Sequence, residues 1–370
     1  MKYGVYGGAF NPMHLEHLAV MINAKKELGL DKVVILPSGN APHKKTLVDF
    51  ADRVKMIEMT IKDDPDYLID DLEEKTEGLT NTAKMLPLLK EKYGDIVFII
   101  GGDSFNDLET WIRPDVILSY PLAVVTRAKG KDEAKAKAKK YNDLGSSITV
   151  LDYVGKDVSS TEIRTRLMLG LPVFDVCPEV VDYAKEKGFY DGFKDILESL
   201  KAKLPAKRYD HTLHVALCAI KLNSQLKLDK DKVILSALLH DSSKYSQRPH
   251  PEIPEQYRNG PIAHAFIGAE EIQTDYGITD PDIINAVRYH TTGRANMSDL
   301  ERLIYLADLL EDTRDFDGVQ RLRDIAYRDF DQGFKEAVAS QRKFLGNGEN
   351  ICPLTFECYD YYVLNSKKRF

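Results

Sequence analysis

Cysteine is scarce in this chain. Cys177, Cys218, Cys352 and Cys358 are the only four among 370 residues, and no two form a C-x-x-C pair. A zinc ribbon is therefore not indicated, and free thiols in a reducing cytoplasm are expected. There is no apolar run long enough to span a bilayer, and the first residues lead into a strand pattern instead of a basic stretch with an apolar core. Neither membrane insertion nor a signal peptide is expected. Basic excess is also missing: 51 Lys and Arg face 58 Asp and Glu, a formal net charge of −7. Broad nucleic-acid binding needs a basic field and an aromatic-basic stripe, and neither is seen.

The chain has instead an ordinary globular composition, 43% hydrophobic and 29% charged, at a length that one core rarely serves. Two domains are expected, at 1–193 and 194–370. In the first, Val- and Ile-rich runs at Tyr3–Tyr6, Val33–Leu36, Ile96–Ile100, Leu122–Val125 and Ile148–Leu151 alternate with helical patterns such as Leu15–Leu28, Arg53–Ile61 and Thr82–Lys92. That alternation predicts a Rossmann-like α/β domain with a parallel sheet covered on both faces. The Lys/Ala/Asp/Glu run at Lys131–Lys140 reads as a solvated helix or loop. Beyond about Phe193 strand patterns become scarce. Helical patterns at Asp195–Leu204, His211–Gln225, Lys230–His240, Ile262–Tyr276, Pro281–Tyr289, Asp299–Asp312 and Asp329–Leu345 predict an all-α second half.

The first strand runs into Gly7-Gly8-Ala9-Phe10-Asn11-Pro12-Met13-His14-Leu15-Glu16-His17. A glycine pair lets the backbone approach a ligand, and the helix predicted after Pro12 aims free N–H groups at the same place. His14 and His17, three apart, share a helix face and can donate to a polyphosphate. The pattern resembles the opening signature of the nucleotidyltransferase superfamily, with Glu16 where a glycine is typical. Val158-Ser159-Ser160-Thr161-Glu162-Ile163-Arg164 resembles the late motif of that superfamily. Ser159 or Ser160 would cap the next helix and Arg164 would add a forked cation; a plain capping box between Ser159 and Glu162 is the bland alternative.

Three segments are similar to nicotinate mononucleotide adenylyltransferases: Gly101-Gly102-Asp103 after the third long strand, Asp107-Leu108-Glu109-Thr110-Trp111, and Pro37-Ser38-Gly39-Asn40-Ala41-Pro42-His43-Lys44. The resemblance, over roughly residues 1–190, implies transfer of AMP from ATP to nicotinate mononucleotide. It implies ATP at Gly7, Gly8, Phe10, His14, His17, Gly101, Asp103, Ser159, Ser160, Thr161 and Arg164, with His14, His17, Lys44 and Arg164 acting on the triphosphate beside Mg²⁺. Asn40, Lys44, Thr80, Trp111 and Arg127 would hold the mononucleotide. Pantetheine-phosphate adenylyltransferase and cytidylyltransferase activities are the rival readings; core packing is the alternative for Trp111.

The second half carries His211, His240-Asp241, His264, His290 and Asp308 on or beside apolar helical runs, where a carboxylate is costly to bury without a partner or a metal. Taken singly, each histidine reads more readily as structural than as a ligand. The ordered set resembles the HD superfamily of metal-dependent phosphohydrolases. Four segments, around Arg208–Thr212, Ala237–Lys244, Arg288–Gly293 and Ala307–Arg314, resemble its branch that splits diadenosine tetraphosphate symmetrically into two ADP. The resemblance implies two ions, iron or manganese, held by those six residues. It further implies catalysis by Asp241 and Lys244, with polyphosphate contacts from Lys244, Arg288 and Arg314. His214 and His250 are left unassigned. Hydrolysis of guanosine tetraphosphate, cyclic nucleotides or deoxynucleotides, or nucleotide sensing without cleavage, are the alternatives. The expected partners are small nucleotides, and self-association is left open.

Overall fold

The structure, a computed structural model, describes residues 1–39, 48–78, 80–346 and 351–365. It separates into two compact units, one comprising Met1–Leu167 and Pro172–Tyr190, the other Met168–Leu171 and Asp191–Phe370.

The first unit is a six-stranded parallel sheet. Its strands are β1 (Lys2–Gly8), β2 (Lys32–Pro37), β3 (Tyr67–Ile69), β4 (Asp95–Gly101), β5 (Leu122–Arg127) and β6 (Ile148–Gly155), in the spatial order β3-β2-β1-β4-β5-β6. Alternate residues feed two cores. Val34, Leu36, Phe98 and Ile100 enter one layer with Phe105 and Leu122, whereas Val33, Ile35, Val97 and Ile99 enter the other with Met21 and Ile57. Burial on both faces explains why these strands read as continuous apolar runs. The strand order reverses between β1 and β4, and a doubly wound sheet opens a crevice at the carboxyl ends of such a pair. Gly7, Gly8 and Gly101 end those strands.

The second unit is helical: Lys194–Lys203, Ala206–Leu226, Lys230–Leu239, Ala263–Asp275, Pro281–Tyr289, Asp299–Leu310, Val319–Ala326, Phe330–Leu345 and Pro353–Tyr359, with a four-residue helix at Glu255–Arg258. Leu213, Leu217, Val233, Leu238, Ile272, Val287, Leu303 and Leu306 belong to one buried cluster. Asp229, Asp280, Ser298 and Asp329 each cap a helix by accepting a backbone N–H from the first turn. His240 and His290 sit one residue past their helices, as C-caps, instead of inside them. Among the described residues no helix is long and apolar enough to cross a membrane.

Candidate active sites

A cavity of about 730 Å³ opens at the β1/β4 switch point, lined among others by Tyr6, His14, Glu16, His17, Gly101, Asp103, Arg127 and Val158. That size suits a nucleotide. His14 precedes the helix Leu15–Leu28 as its N-cap, and His17 lies in the first turn. Their rings stack with centroids 3.6 Å apart. The His14 backbone N–H donates to His17 Nδ1 at 3.2 Å. A neutral His17 whose Nδ1 accepts must carry its proton on Nε2, so the ring is set to donate from that side. Burial pushes His14 down to about 4, and burial followed by the His14 charge holds His17 well below its ordinary value. Both imidazoles are therefore neutral near pH 7.

The two motifs meet behind this pair. Arg164 donates from Nη1 to the Asn11 carbonyl at 2.7 Å and from Nη2 to Thr161 Oγ1 at 3.2 Å. Ser160 donates to the Pro12 carbonyl at 3.3 Å, and Tyr190 to Asn11 Oδ1 at 2.8 Å. Arg164, expected on the triphosphate, thus also braces the turn that presents His14. Ser159 Oγ accepts the Thr161 N–H at 3.2 Å, while Glu162 pairs with Arg166 at 2.8 Å. Gly8 serves the same turn: a Cβ there would come within 3.1 Å of the Phe10 ring. Phe10 is 2% exposed at φ +46°, and its ring meets His17 edge-on at 5.2 Å. Gly7, Gly8, Phe10, Ser159, Ser160, Thr161 and Arg164 stand outside the cavity lining.

Arg127, at the cavity mouth, lies 3.2 Å from Asp157 and 3.6 Å from Asp103. Thr80 donates to Glu73 Oε2 at 3.3 Å, and the Gly39 N–H donates to the same oxygen at 3.0 Å. Trp111 is half-buried against the core layer holding Phe105 and Leu108, the packing role set against ligand stacking above. Neither Thr80 nor Trp111 lines the cavity, and Asn40 and Lys44 fall outside the described residues. Sequence reasoning gave no role to Glu16. It is 9% exposed, lines the cavity and accepts from Tyr153 Oη at 3.0 Å. Arg53 was missed altogether. It is 0% exposed, and its three nitrogens donate to the carbonyls of Val48 (2.9 Å), Ala9 (2.8 Å) and Ser38 (2.6 Å).

In the helical unit the six expected ligands converge. Three overlapping triads, His211–His240–Asp241, His240–His290–Asp308 and Asp241–His264–His290, each place their donor atoms within 4.8 Å of one another. Asp241 belongs to two of them. Its Oδ2 lies 3.5 Å from His240 Nε2 and its Oδ1 lies 3.0 Å from His264 Nε2, so its two oxygens face different imidazoles. Three of the four rings are oriented from behind: Nδ1 of His240 meets the Ala237 carbonyl at 2.6 Å, that of His290 the Val287 carbonyl at 2.7 Å, and that of His211 Glu311 Oε1 at 3.0 Å. With the proton on Nδ1, each Nε2 lone pair points inward. Among the described residues, His211 Nε2, His240 Nε2 and Asp241 Oδ1 are buried without a hydrogen bond of regular geometry, although Asp241 Oδ1 lies 3.0 Å from His264 Nε2. Orphaned acceptors of this kind fit divalent metal ions.

The charge states agree with ligation, which needs neutral imidazoles and ionised carboxylates. Burial lowers His240 to about 3 and also lowers His264. Asp241 stays well below the carboxylate range: burial alone would raise it, but His240, His264 and His290 outweigh that. His211 is the exception, since Asp308 and Glu311 overcome burial and raise it. Lys244 stands 2.9 Å from His264 Nε2 and 3.6 Å from Asp241. Arg314 pairs with Asp308, whereas Arg288 donates to Glu270 at 2.9 Å and to Asn285 at 3.1 Å. Besides Lys244, Arg208 lies beside the Asp241 carboxylate, 2.8 Å from its Oδ2. Arg208 and Glu311 lay inside recognised motif segments, but nothing in their spacing set them apart.

The sheet order with its switch-point cavity defines a nucleotide-binding α/β domain, and the triads define a helical metal domain. Residues 5–166 match the cytidylyltransferase-like family and residues 208–313 the HD domain family. A "Probable nicotinate-nucleotide adenylyltransferase" of Clostridium botulinum is 37% identical over 171 residues, 45% of this chain and 86% of that protein. The chain belongs, through its N-terminal half, to the nicotinate-nucleotide adenylyltransferase family. A "Probable nicotinate-nucleotide adenylyltransferase/Ap4A hydrolase" of Mycoplasma genitalium is 27% identical over 328 residues, 85% of this chain and 88% of that protein. A crystal structure of a "predicted HD superfamily hydrolase involved in NAD metabolism" from Clostridium acetobutylicum is similar at 30% identity over 47% of this chain and 98% of that one, with a TM-score of 0.43. The chain is an enzyme that joins a nucleotidyltransferase domain to an HD hydrolase domain.

Proposed function

We propose that the N-terminal unit transfers AMP from ATP to nicotinate mononucleotide, and that the C-terminal unit hydrolyses diadenosine tetraphosphate into two ADP. The stacked His14–His17 pair at the switch-point cavity carries the first reading. A mononucleotide phosphate oxygen attacks the ATP α-phosphorus; the bond to the bridging oxygen breaks, and pyrophosphate leaves with the electron pair. The nucleophile is already ionised, so the residues act by positioning and charge. His17 donates from Nε2 to the triphosphate, and His14 lies beneath it. Arg164 holds their turn, and Mg²⁺ accompanies the ATP. Lys44, Asn40, Thr80, Trp111 and Arg127 remain the residues assigned to the mononucleotide.

Asp241, shared by two ligand triads, carries the second reading. The mixed imidazole and carboxylate donors suit iron or manganese. A pair of such ions supplies charge to the phosphate and lowers the pKa of a water. Arg208 and Lys244, flanking Asp241, are placed to hold oxygens of the central phosphates. Water adds to one of the two inner phosphorus atoms, the bond to the oxygen bridging them breaks, and each half departs as ADP.

Two assays on the purified full chain test these readings. ATP and nicotinate mononucleotide should yield deamido-NAD and pyrophosphate; a preference for another acceptor overturns the first. With ferrous or manganese ion in the absence of oxygen, diadenosine tetraphosphate should yield ADP alone. ATP plus AMP, or no cleavage, overturns the second.

A further inference from the structure

A second cavity, of about 710 Å³, abuts the metal cluster on its Asp308 side. Asp308 and Arg314 form one end. Leu309, Phe316 and Phe344 supply apolar surface, and Ser340, Gln341 and Lys343 supply polar groups. Phe344 is unusual. It closes the last turn of the helix Phe330–Leu345 yet is 84% exposed, the most exposed phenylalanine among the described residues, and Phe316 is 36% exposed. Burial of an aromatic ring is strongly favoured, so two exposed rings beside one cavity mark a surface that a planar apolar ligand would cover.

The polar groups narrow the occupant. Gln341 offers both an amide donor and an acceptor, and Ser340 a hydroxyl, the combination that reads the edge of a heterocyclic base. Arg314 sits where the cavity meets Asp308, and Lys343 adds a second cation to the wall. The lining thus combines cations beside a member of the metal cluster with aromatic and amide groups, the two chemistries that a nucleotide's phosphates and base call for, and Asp317 is its one further carboxylate besides Asp308. The volume lies within the range of small-molecule sites.

We propose that this cavity is the subsite for one adenosine of the dinucleotide substrate, its base stacking on Phe344 and Phe316 and its edge read by Gln341. The assignment rests on the hydrolase reading above and adds the direction in which one half of the substrate lies. Phe344 carries no metal-donor atom and belongs to none of the triads, so its part is in binding and not in the bond-breaking step.

The test is steady-state hydrolysis of diadenosine tetraphosphate by the full chain and its Phe344→Ala variant, with ADP binding to each measured by calorimetry in the presence of manganese. The exposed ring can be removed without opening a core. Loss of base stacking should raise KM roughly tenfold or more, leave kcat within about twofold and leave metal content unchanged. Gln341→Ala should raise KM in the same way. An unchanged KM in Phe344→Ala overturns the subsite while the hydrolase reading stands. If the unaltered chain does not cleave the substrate, the hydrolase reading fails and the subsite is judged on ADP alone. Binding to the N-terminal unit is common to both proteins, so weaker total binding in Phe344→Ala supports the subsite and equal binding overturns it.

Discussion

Replacing Glu311 by glutamine should weaken the metal site without touching one metal ligand. Glu311 is 0% exposed. Its Oε1 meets His211 Nδ1 at 3.0 Å and accepts from Thr313 Oγ1 at 2.7 Å, while Oε2 accepts the Thr313 N–H at 2.6 Å. All three partners donate, so both oxygens must accept. An amide cannot satisfy them: its NH₂ would face either the Thr313 N–H or the His211 Nδ1 proton. The substitution also removes the negative charge that supports the basicity of His211. Partners behind a ligating histidine are worth roughly 10- to 100-fold in metal affinity, or about 1.4 to 2.7 kcal/mol. The assay is titration of metal-free protein with manganese in competition with a chelating dye, followed by hydrolysis at fixed free metal. Affinity should fall by that factor, and hydrolysis should recover as free manganese rises. Adenylyl transfer by the same molecules is the internal control, because Glu311 lies in the helical unit. Metal affinity within twofold of the unaltered chain, with adenylyl transfer intact, would refute the orienting role.

Three further outcomes follow from the N-terminal unit, whose half-buried Trp111 is the only tryptophan and so reports its unfolding by fluorescence. Arg53→Met leaves three part-buried carbonyls without their donor and should cost about 1 to 3 kcal/mol in urea unfolding; a loss near zero would mean water reaches them. His14 titrates near 4 in the folded unit against an ordinary 6.5. The unfolded chain therefore binds the extra proton first, so the His14 contribution is fully present above pH 6.5 and is lost as pH falls toward 4. The loss is about 3 kcal/mol, and His14→Asn should flatten that part of the unfolding profile, whereas an identical acid dependence removes the assignment. His17→Ala should lower adenylyl transfer by about 100-fold with the fold intact; unchanged turnover would show that the Nε2 donor is not used.

Element type was legible wherever burial repeats over a full element. β2, β4 and β5 announce themselves because both faces of the sheet exclude water there, so each is an apolar run; β1 and the edge strand β6 are buried only in part but keep enough Val, Ile, Leu and Tyr to be read. β3 escaped, since Tyr67–Ile69 is too short for any period to show. The run Lys131–Lys140 read as a solvated helix or loop, and it lies in a helix, Lys131–Asn142. Its buried stripe is only Ala134 and Ala138, four apart, and two methyl groups barely register against a background of Lys, Asp and Glu. Pro178–Glu186 carried a legible signal that went unread, a proline at the first helical position followed by Val180, Val181 and Ala184.

The candidate sites divide along a different line. Metal ligands come from few residue types, and although each histidine alone reads as structural, the ordered set of imidazoles and carboxylates resembles that of the HD superfamily. His211, His240, Asp241, His264, His290 and Asp308 could therefore be singled out in one dimension. The residues that orient them could not. Glu311 and Arg208 are ordinary charged residues in sequence, and what distinguishes them is one contact each, with His211 and with Asp241, which exists only after the helices pack. The nucleotidyltransferase motifs show the converse. Arg164 and Gly8 were marked by position, but position does not say which neighbour a side chain meets. Arg164 meets the Asn11 carbonyl and Gly8 makes room for Phe10, so part of that signature encodes the shape of a turn. A motif residue that shapes the turn should lose activity through misplacement of His14 and His17. Arg164→Lys should then retain more adenylyl transfer than Arg164→Ala, because a single cation can still reach the Asn11 carbonyl.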